Sequence, residues 1–301
     1  MTSVQLPQEL LERYQRAEAS GIGLWAARQF LAAAGVFREL YELLKERQPG
    51  DGRFHKGGPL HNEGVSWIYA GLPEKGAQPI LLAYIEDCLS EGPRSPRVET
   101  LPAAQTLRNY FRMTDNAFET LKKTVEAQGD PKLVRDPERV YEAHLNAMGL
   151  REEEILPALG KLKDRKRNYQ KFDKDWERRV FIGGAYRDPS KLESLRDVLL
   201  DLGFEPIIAS DFMTPEELVR HHALMLLHSC KYAIFDLAIE AGQLMEIERS
   251  LDYEVKALAL YPANDPKEEA RISGMIKSHP IEKVPYKRDE ERRAAVVKFL
   301  T

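Results

Sequence analysis

The chain has 301 residues, 43% of them hydrophobic and 31% charged, a composition ordinary for a globular protein. Its length allows one large domain or two. A net charge of -4 and a pI near 6.1 argue against a dedicated nucleic-acid binder.

The first half reads as helical. Gln8 to Ala19 and Gly23 to Arg47 carry apolar residues at helical spacing, with Leu24, Phe30, Leu31, Phe37, Leu40, Tyr41 and Leu44 on one broad face. A polar, glycine-rich break from Gln48 to Pro59 holds His55 and Lys56, with His61 and Asn62 just beyond. This group would suit an anion or a partner, although a lone loop histidine is more often just solvated. The run Asn62 to Tyr69, the turn after Gly71 and the run Gly76 to Leu89 resemble a tetratricopeptide-type hairpin, with Gly64, Ala70 and Ala77 as small packing residues. No second copy follows at a fixed period, so a solenoid is not expected. Beyond a break at Ser90 to Arg97, helical patterns resume over Ala103 to Gln128 and Pro137 to Leu162.

Between Lys161 and Arg179 the apolar pattern fails and charges alternate, including the basic cluster Lys163 to Arg167. That predicts a solvated linker. The expected organisation is a helical domain over 1–160, a charged linker over 161–179 and a second domain over 180–301.

After Arg179 the pattern alternates between strand and helix. Val180 to Ile182 is a short apolar strand broken by Gly183 and Gly184. Asp188 and Pro189 start a helix whose buried face is Leu192, Leu195, Val198, Leu199 and Leu202, and Gly203 ends it. Phe204 to Ala209 is a second strand, and Thr214 and Pro215 cap a helix running to about Ser229. Tyr232 to Leu237, Leu244 to Tyr253 and Lys256 to Tyr261 follow as strand, helix and strand. Strands separated by helices of this length require crossovers and a parallel sheet. The fold class is therefore α/β, a flavodoxin-like parallel sheet with helices on both faces and its first strand central, preceded by an all-α domain.

Two features of this half carry chemistry. The third strand ends in Asp236, and Glu246 stands on the first turn of the next helix, which places two acids at the carboxyl edge of the sheet, where open α/β folds bind ligands. The Gly183-Gly184 pair lets backbone N–H groups approach a ligand, and the helix start that follows favours an anion. Neither a GxGxxG fingerprint nor a Walker loop is present. Cleaving an N-glycosidic bond needs a carboxylate at C1' and other groups that hold the sugar and protonate the leaving base. A plain structural reading stands beside this one, in which Asp236 ends a strand and Glu246 favours the helix dipole. Cys88 and Cys230 lie in apolar segments with no CxxC partner, which predicts free buried thiols, and no metal-ligand spacing appears.

From Val180 to about Tyr286 the chain resembles the nucleoside 2-deoxyribosyltransferase superfamily, most closely its deoxynucleoside 5'-monophosphate N-hydrolase branch. The segments Val180 to Arg187, Cys230 to Asp236, Met245 to Leu258 and Ile272 to Ile276 carry the likeness in order. The resemblance implies that Glu246 is the nucleophile or oxocarbenium stabiliser, that Tyr186 orients it or the sugar, and that Asp236 is the acid at the strand end. It places Gly183, Gly184 and Arg187 on the ligand side and Ser273 at a phosphate, often across a subunit boundary. Ala223 stands where the family has an aspartate, flanked by His221 and His222, and His222 could replace that contact. Glu248 stands where the family has a glycine, and a charge there would crowd or repel a phosphate. More distantly the layout is similar to Toll/interleukin-receptor (TIR) enzymes that cleave NAD.

The expected function is cleavage of an N-glycosidic bond in a nucleoside, nucleotide or NAD-like substrate, with no cofactor or metal. The alternatives are a degenerate module that senses a nucleotide and a scaffold whose helical domain binds a protein. A homo-oligomer is expected, without membrane or nucleic-acid partners. No apolar run reaches bilayer length and Met1 to Gln8 lacks a signal-peptide layout, so the cytoplasm is the expected location.

Overall fold

The structure, a computed structural model, describes residues 7–47, 54–130, 134, 136–155, 173–184, 189–212, 219–238, 243–264 and 266–301. The chain forms two compact units, Met1–Phe172 and Asp173–Thr301.

The first unit contains α1 (Gln8–Ala26), α2 (Phe30–Glu46), α3 (Gly57–Tyr69), α4 (Pro73–Glu91), α5 (Pro102–Asn109), α6 (Asp115–Ala127) and α7 (Pro137–Met148). Three boundaries differ from the sequence reading. The first helix continues through Gly21 and Gly23 and stops where Arg28 turns left-handed, at φ 57°. Gly21 is a packing site, since a methyl group there would lie 2.8 Å from the Phe37 ring. Ala103 to Gln128 is two helices. The chain turns at Arg112 (φ 58°), and the Thr114 hydroxyl caps α6 by accepting from the Ala117 N–H at 3.3 Å. Tyr110, Phe111 and Met113 are buried in that turn, so the apolar spacing runs on through it. The seventh helix ends at the left-handed Gly149, and the expected continuation from Leu156 to Leu162 lies outside the described residues.

The third and fourth helices pack backbone against backbone. A methyl on Gly64 would lie 2.9 Å from the Gly76 carbonyl oxygen, and one on Gly76 would lie 2.7 Å from that of Gly64. This is a helical hairpin, but α4 also packs on α5, α6 and α7, which makes it the centre of a bundle. The segment holding His55 and Lys56 is pinned to this helix. Lys56 Nζ lies 3.4 Å from Glu86 Oε1, both side chains being buried, and His55 Nε2 lies 2.9 Å from Asp87 Oδ1. His61 meets the Thr106 hydroxyl at 3.0 Å, and burial pushes its imidazole down to about 4, so it is neutral at physiological pH.

The second unit is a five-stranded parallel sheet covered on both faces. Its strands are β1 (Arg179–Gly183), β2 (Glu205–Ile208), β3 (Tyr232–Asp236), β4 (Lys256–Pro262) and β5 (Glu282–Tyr286), in the order β2-β1-β3-β4-β5. That is the flavodoxin order. The first strand is interior, between β2 and β3, and the middle place belongs to β3. Alternate residues define two cores, as parallel strands buried on both faces require. Phe181, Ala233, Phe235, Ala257 and Ala259 pack with α9 (Val219–His228), α10 (Gln243–Asp252) and α11 (Pro266–Ile276). Val180, Ile182, Ile234, Leu258 and Leu260 pack with α8 (Pro189–Asp201) and α12 (Asp289–Leu300). The cap of α9 at Thr214 and Pro215 lies outside the described residues.

The described end of the charged stretch before β1, from Asp173, is folded. Lys174–Arg178 forms a 3-10 turn, Trp176 is buried, and Arg179 pairs with Asp173 at 2.6 Å and with Glu205 of β2 at 3.2 Å. A single tryptophan among alternating charges creates no periodicity, so the sequence pattern does not reveal it.

Among the described residues no helix is long and apolar enough to cross a membrane, and no cluster of His, Cys, Asp and Glu is arranged to hold a metal ion. Both cysteines are free and buried.

Candidate active site

The strand order creates the site. The connection after β1 leads to β2 on one side, and the connection after β3 leads towards β4 on the other. The crevice between those diverging connections, at the carboxyl ends of β1 and β3, is the switch point at which such sheets bind ligands. Gly183 and Gly184 end β1, Asp236 ends β3, and Glu246 lies on the first turn of α10.

The glycines are needed where they stand. A Cβ on Gly183 would sit 2.8 Å from Glu246 Oε2 and 2.7 Å from the Phe235 ring. A Cβ on Gly184 would sit 2.5 Å from Leu192, with Asp236 Cβ at 3.7 Å. Consecutive strand residues face opposite sides of the sheet, so Glu246 stands against Gly183 on the face covered by α9, α10 and α11, and the Asp236 side chain stands near Gly184 on the face covered by α8 and α12.

The two carboxyl groups have opposite circumstances. Glu246 Oε2 is buried and has no hydrogen-bond partner among the described residues. Burial pushes this carboxyl up to about 7, because water no longer solvates the charged form. Asp236 is buried and fully engaged. Its Oδ1 accepts from the Tyr286 hydroxyl at 3.1 Å and from the Ala238 N–H at 3.0 Å, and its Oδ2 accepts from Arg292 Nη1 at 2.6 Å. Burial, then the Asp236 charge, raise the Tyr286 hydroxyl well above the usual phenol range.

The remaining expected site residues divide by position. Tyr186 and Arg187 lie outside the described residues. His222 and Ser273 fall on α9 and α11, with their side chains outside the described part. Ala223 is 5% exposed within the apolar core beside Leu226 and Leu227. Glu248 is turned to solvent, its carboxylate 3.9 Å from His279 Nε2. Two residues along a helix do not share a face, so Glu248 does not stand beside Glu246.

Sequence reasoning missed Tyr286 and Arg292. One signal was available for the arginine: positions 292, 295, 296 and 299 share a helical face, and the other three are Ala295, Val296 and Phe299. An arginine on an otherwise apolar face indicates a buried partner.

A buried carboxyl with an unpartnered oxygen, poised near neutrality at a ligand-binding edge, is equipped to attack or electrostatically stabilise a developing cation. No protein-family model matches this chain, and no curated protein matches it.

Proposed function

We propose that the C-terminal unit cleaves the N-glycosidic bond of a nucleoside, nucleotide or NAD-like substrate, with Glu246 acting at C1'. The observation that carries this reading is the unpartnered, buried Glu246 oxygen held against Gly183 at the switch point. The resemblance of Val180 to Tyr286 to the nucleoside 2-deoxyribosyltransferase superfamily supports it. In this reading the C1'–N bond breaks with its electron pair going to the base, which takes up a proton. The Glu246 carboxylate meets the cationic sugar, and water then supplies the hydroxyl at C1'. Positive charge developing next to the carboxyl favours its ionised form, which offsets the desolvation that raises it in the free protein.

The test is chromatographic. Wild type and Glu246→Gln are incubated with deoxynucleoside monophosphates, ribonucleotides and NAD, and free base or nicotinamide is measured. Release by the wild type should fall by about a thousandfold or more in Glu246→Gln with little change in ligand affinity. A variant that keeps the wild-type rate removes Glu246 from the chemistry. Binding without release from any substrate favours a nucleotide-sensing module instead.

A further inference from the structure

The Glu246 oxygen without a hydrogen-bond partner has an apolar neighbour, and the pairing of the strands puts it there. Gly183 of β1 stands in register with Phe235 of β3. The glycine has no side chain, so the Phe235 ring reaches over it. A Cβ on Gly183 would lie 2.7 Å from Phe235 Cδ1 and 3.0 Å from its Cε1, which together form one edge of the ring. The same point lies 2.8 Å from Glu246 Oε2. The ring edge and the carboxyl oxygen therefore border one space above the glycine, on the face covered by α9, α10 and α11.

Both sides of that space are held. Phe235 is fully buried, and Phe181, two residues before Gly183 and so on the same face, backs its ring with centroids 6.2 Å apart. On α10, Ile247 is buried in the same core and pins the turn that carries Glu246. An aromatic edge beside a carboxyl group keeps water away and offers no hydrogen bond in its place.

The charged groups on the surrounding elements are engaged elsewhere. On α10, Glu248 and Arg249 are exposed, and Arg249 pairs with Asp252 at 2.9 Å. His228 of α9 packs on the Tyr253 ring, Glu269 of α11 acts on Tyr261, and His279 beyond α11 faces Glu248. Asp236 is held by Arg292 and Tyr286 on the opposite face of the sheet.

We propose that Phe235 is a positioning residue for Glu246, its ring edge walling the space over Gly183, excluding water from Oε2 and fixing the carboxyl group beside the glycine. What the carboxyl group then does rests on the reaction proposed above, whereas the wall itself does not. A phenylalanine that only filled the core would contribute stability and nothing else.

The test uses the full chain with Phe235→Leu and, as a control, Phe299→Leu, the same change in the core on the opposite face of the sheet. Thermal melts first establish that each variant is folded, and both should melt below wild type. If Phe235→Leu does not fold, Phe235→Met, which conserves volume but not the flat edge, takes its place with a smaller effect of the same sign.

The Glu246 carboxyl is followed by 13C NMR, its signal assigned by its loss in Glu246→Gln. In wild type and Phe299→Leu it should titrate near 7, and in Phe235→Leu it should move towards 4.5 as water reaches the oxygen. On the substrate that wild type cleaves, Phe235→Leu should lower kcat about tenfold and shift the acid limb of kcat/KM to lower pH in step with the NMR titration. An unchanged titration in the folded Phe235 variant overturns the assignment, as does an equal movement in Phe299→Leu. A chain that releases no base from any substrate counts against the reaction, and the titration then decides the role of Phe235 alone.

Discussion

Glu246 is kept in surroundings that disfavour its charge, and this has a consequence for stability that can be measured without any substrate. Its carboxyl is raised by burial from the ordinary glutamate value of 4.5 to about 7. An acid raised in the folded state holds its proton there while the unfolded chain has already lost it, so stability falls as pH rises through that window. Below 4.5 both states are protonated and above 7 both are ionised, so the loss is confined to the interval. A shift of this size corresponds to about 3 kcal/mol at most. Glu246→Gln removes the titration. Its unfolding free energy should therefore gain on that of wild type between about pH 4.5 and pH 7, by up to about 3 kcal/mol. A difference that stays constant with pH would show that the carboxyl is solvated. On the proposed role of Glu246, such a gain would be the usual trade between stability and activity.

At the scale of elements, small residues decide how the helices meet. Gly64 and Gly76 let α3 and α4 approach until each would-be methyl meets the other helix's carbonyl oxygen, at 2.9 and 2.7 Å. Backbone cannot swing aside as a side chain can, so Gly64→Ala should destabilise the protein by about 1–3 kcal/mol. Gly35 is the contrasting case, inside α2 with nothing within 4 Å of an added methyl. There the gain in helix propensity is unopposed, and Gly35→Ala should stabilise by about 0.5–1 kcal/mol. Chemical denaturation of the two variants checks both signs, and a stabilising Gly64→Ala would mean that the helices stand further apart. The same contrast explains why Gly21 did not end α1: the Phe37 ring occupies the space beside it.

For the molecule as a whole, the second compact unit starts at Asp173, before the first strand. Trp176 is buried and Asp173 neutralises Arg179, which is 7% exposed. A fragment beginning at residue 173 should melt cooperatively on its own. One beginning at residue 180 loses the tryptophan, Arg179 and the Asp173 pair, and should melt at a clearly lower temperature or fail to fold. Equal melting of the two fragments would show that 173–179 contributes nothing to the unit.

What the sequence determined by itself is everything that rests on local pattern. Alternating apolar strands and amphipathic helices after Arg179 dictate a parallel sheet with covered faces, because crossovers of that length permit nothing else. The same local reading places Gly183, Gly184, Asp236 and Glu246 at one edge, since strand ends and helix starts are legible from composition. Tertiary structure alone decided how those residues are used. Whether an acid is paired or open depends on groups distant in sequence, and Arg292 and Tyr286 reach Asp236 only after β5 and α12 have docked. Burial raises Glu246 and leaves its oxygen without a partner, and burial belongs to the assembled sheet and not to any segment. The helix boundaries at Arg28 and Arg112 were hidden for the same reason, since apolar turn residues and tightly packed glycines have meaning only against their neighbours.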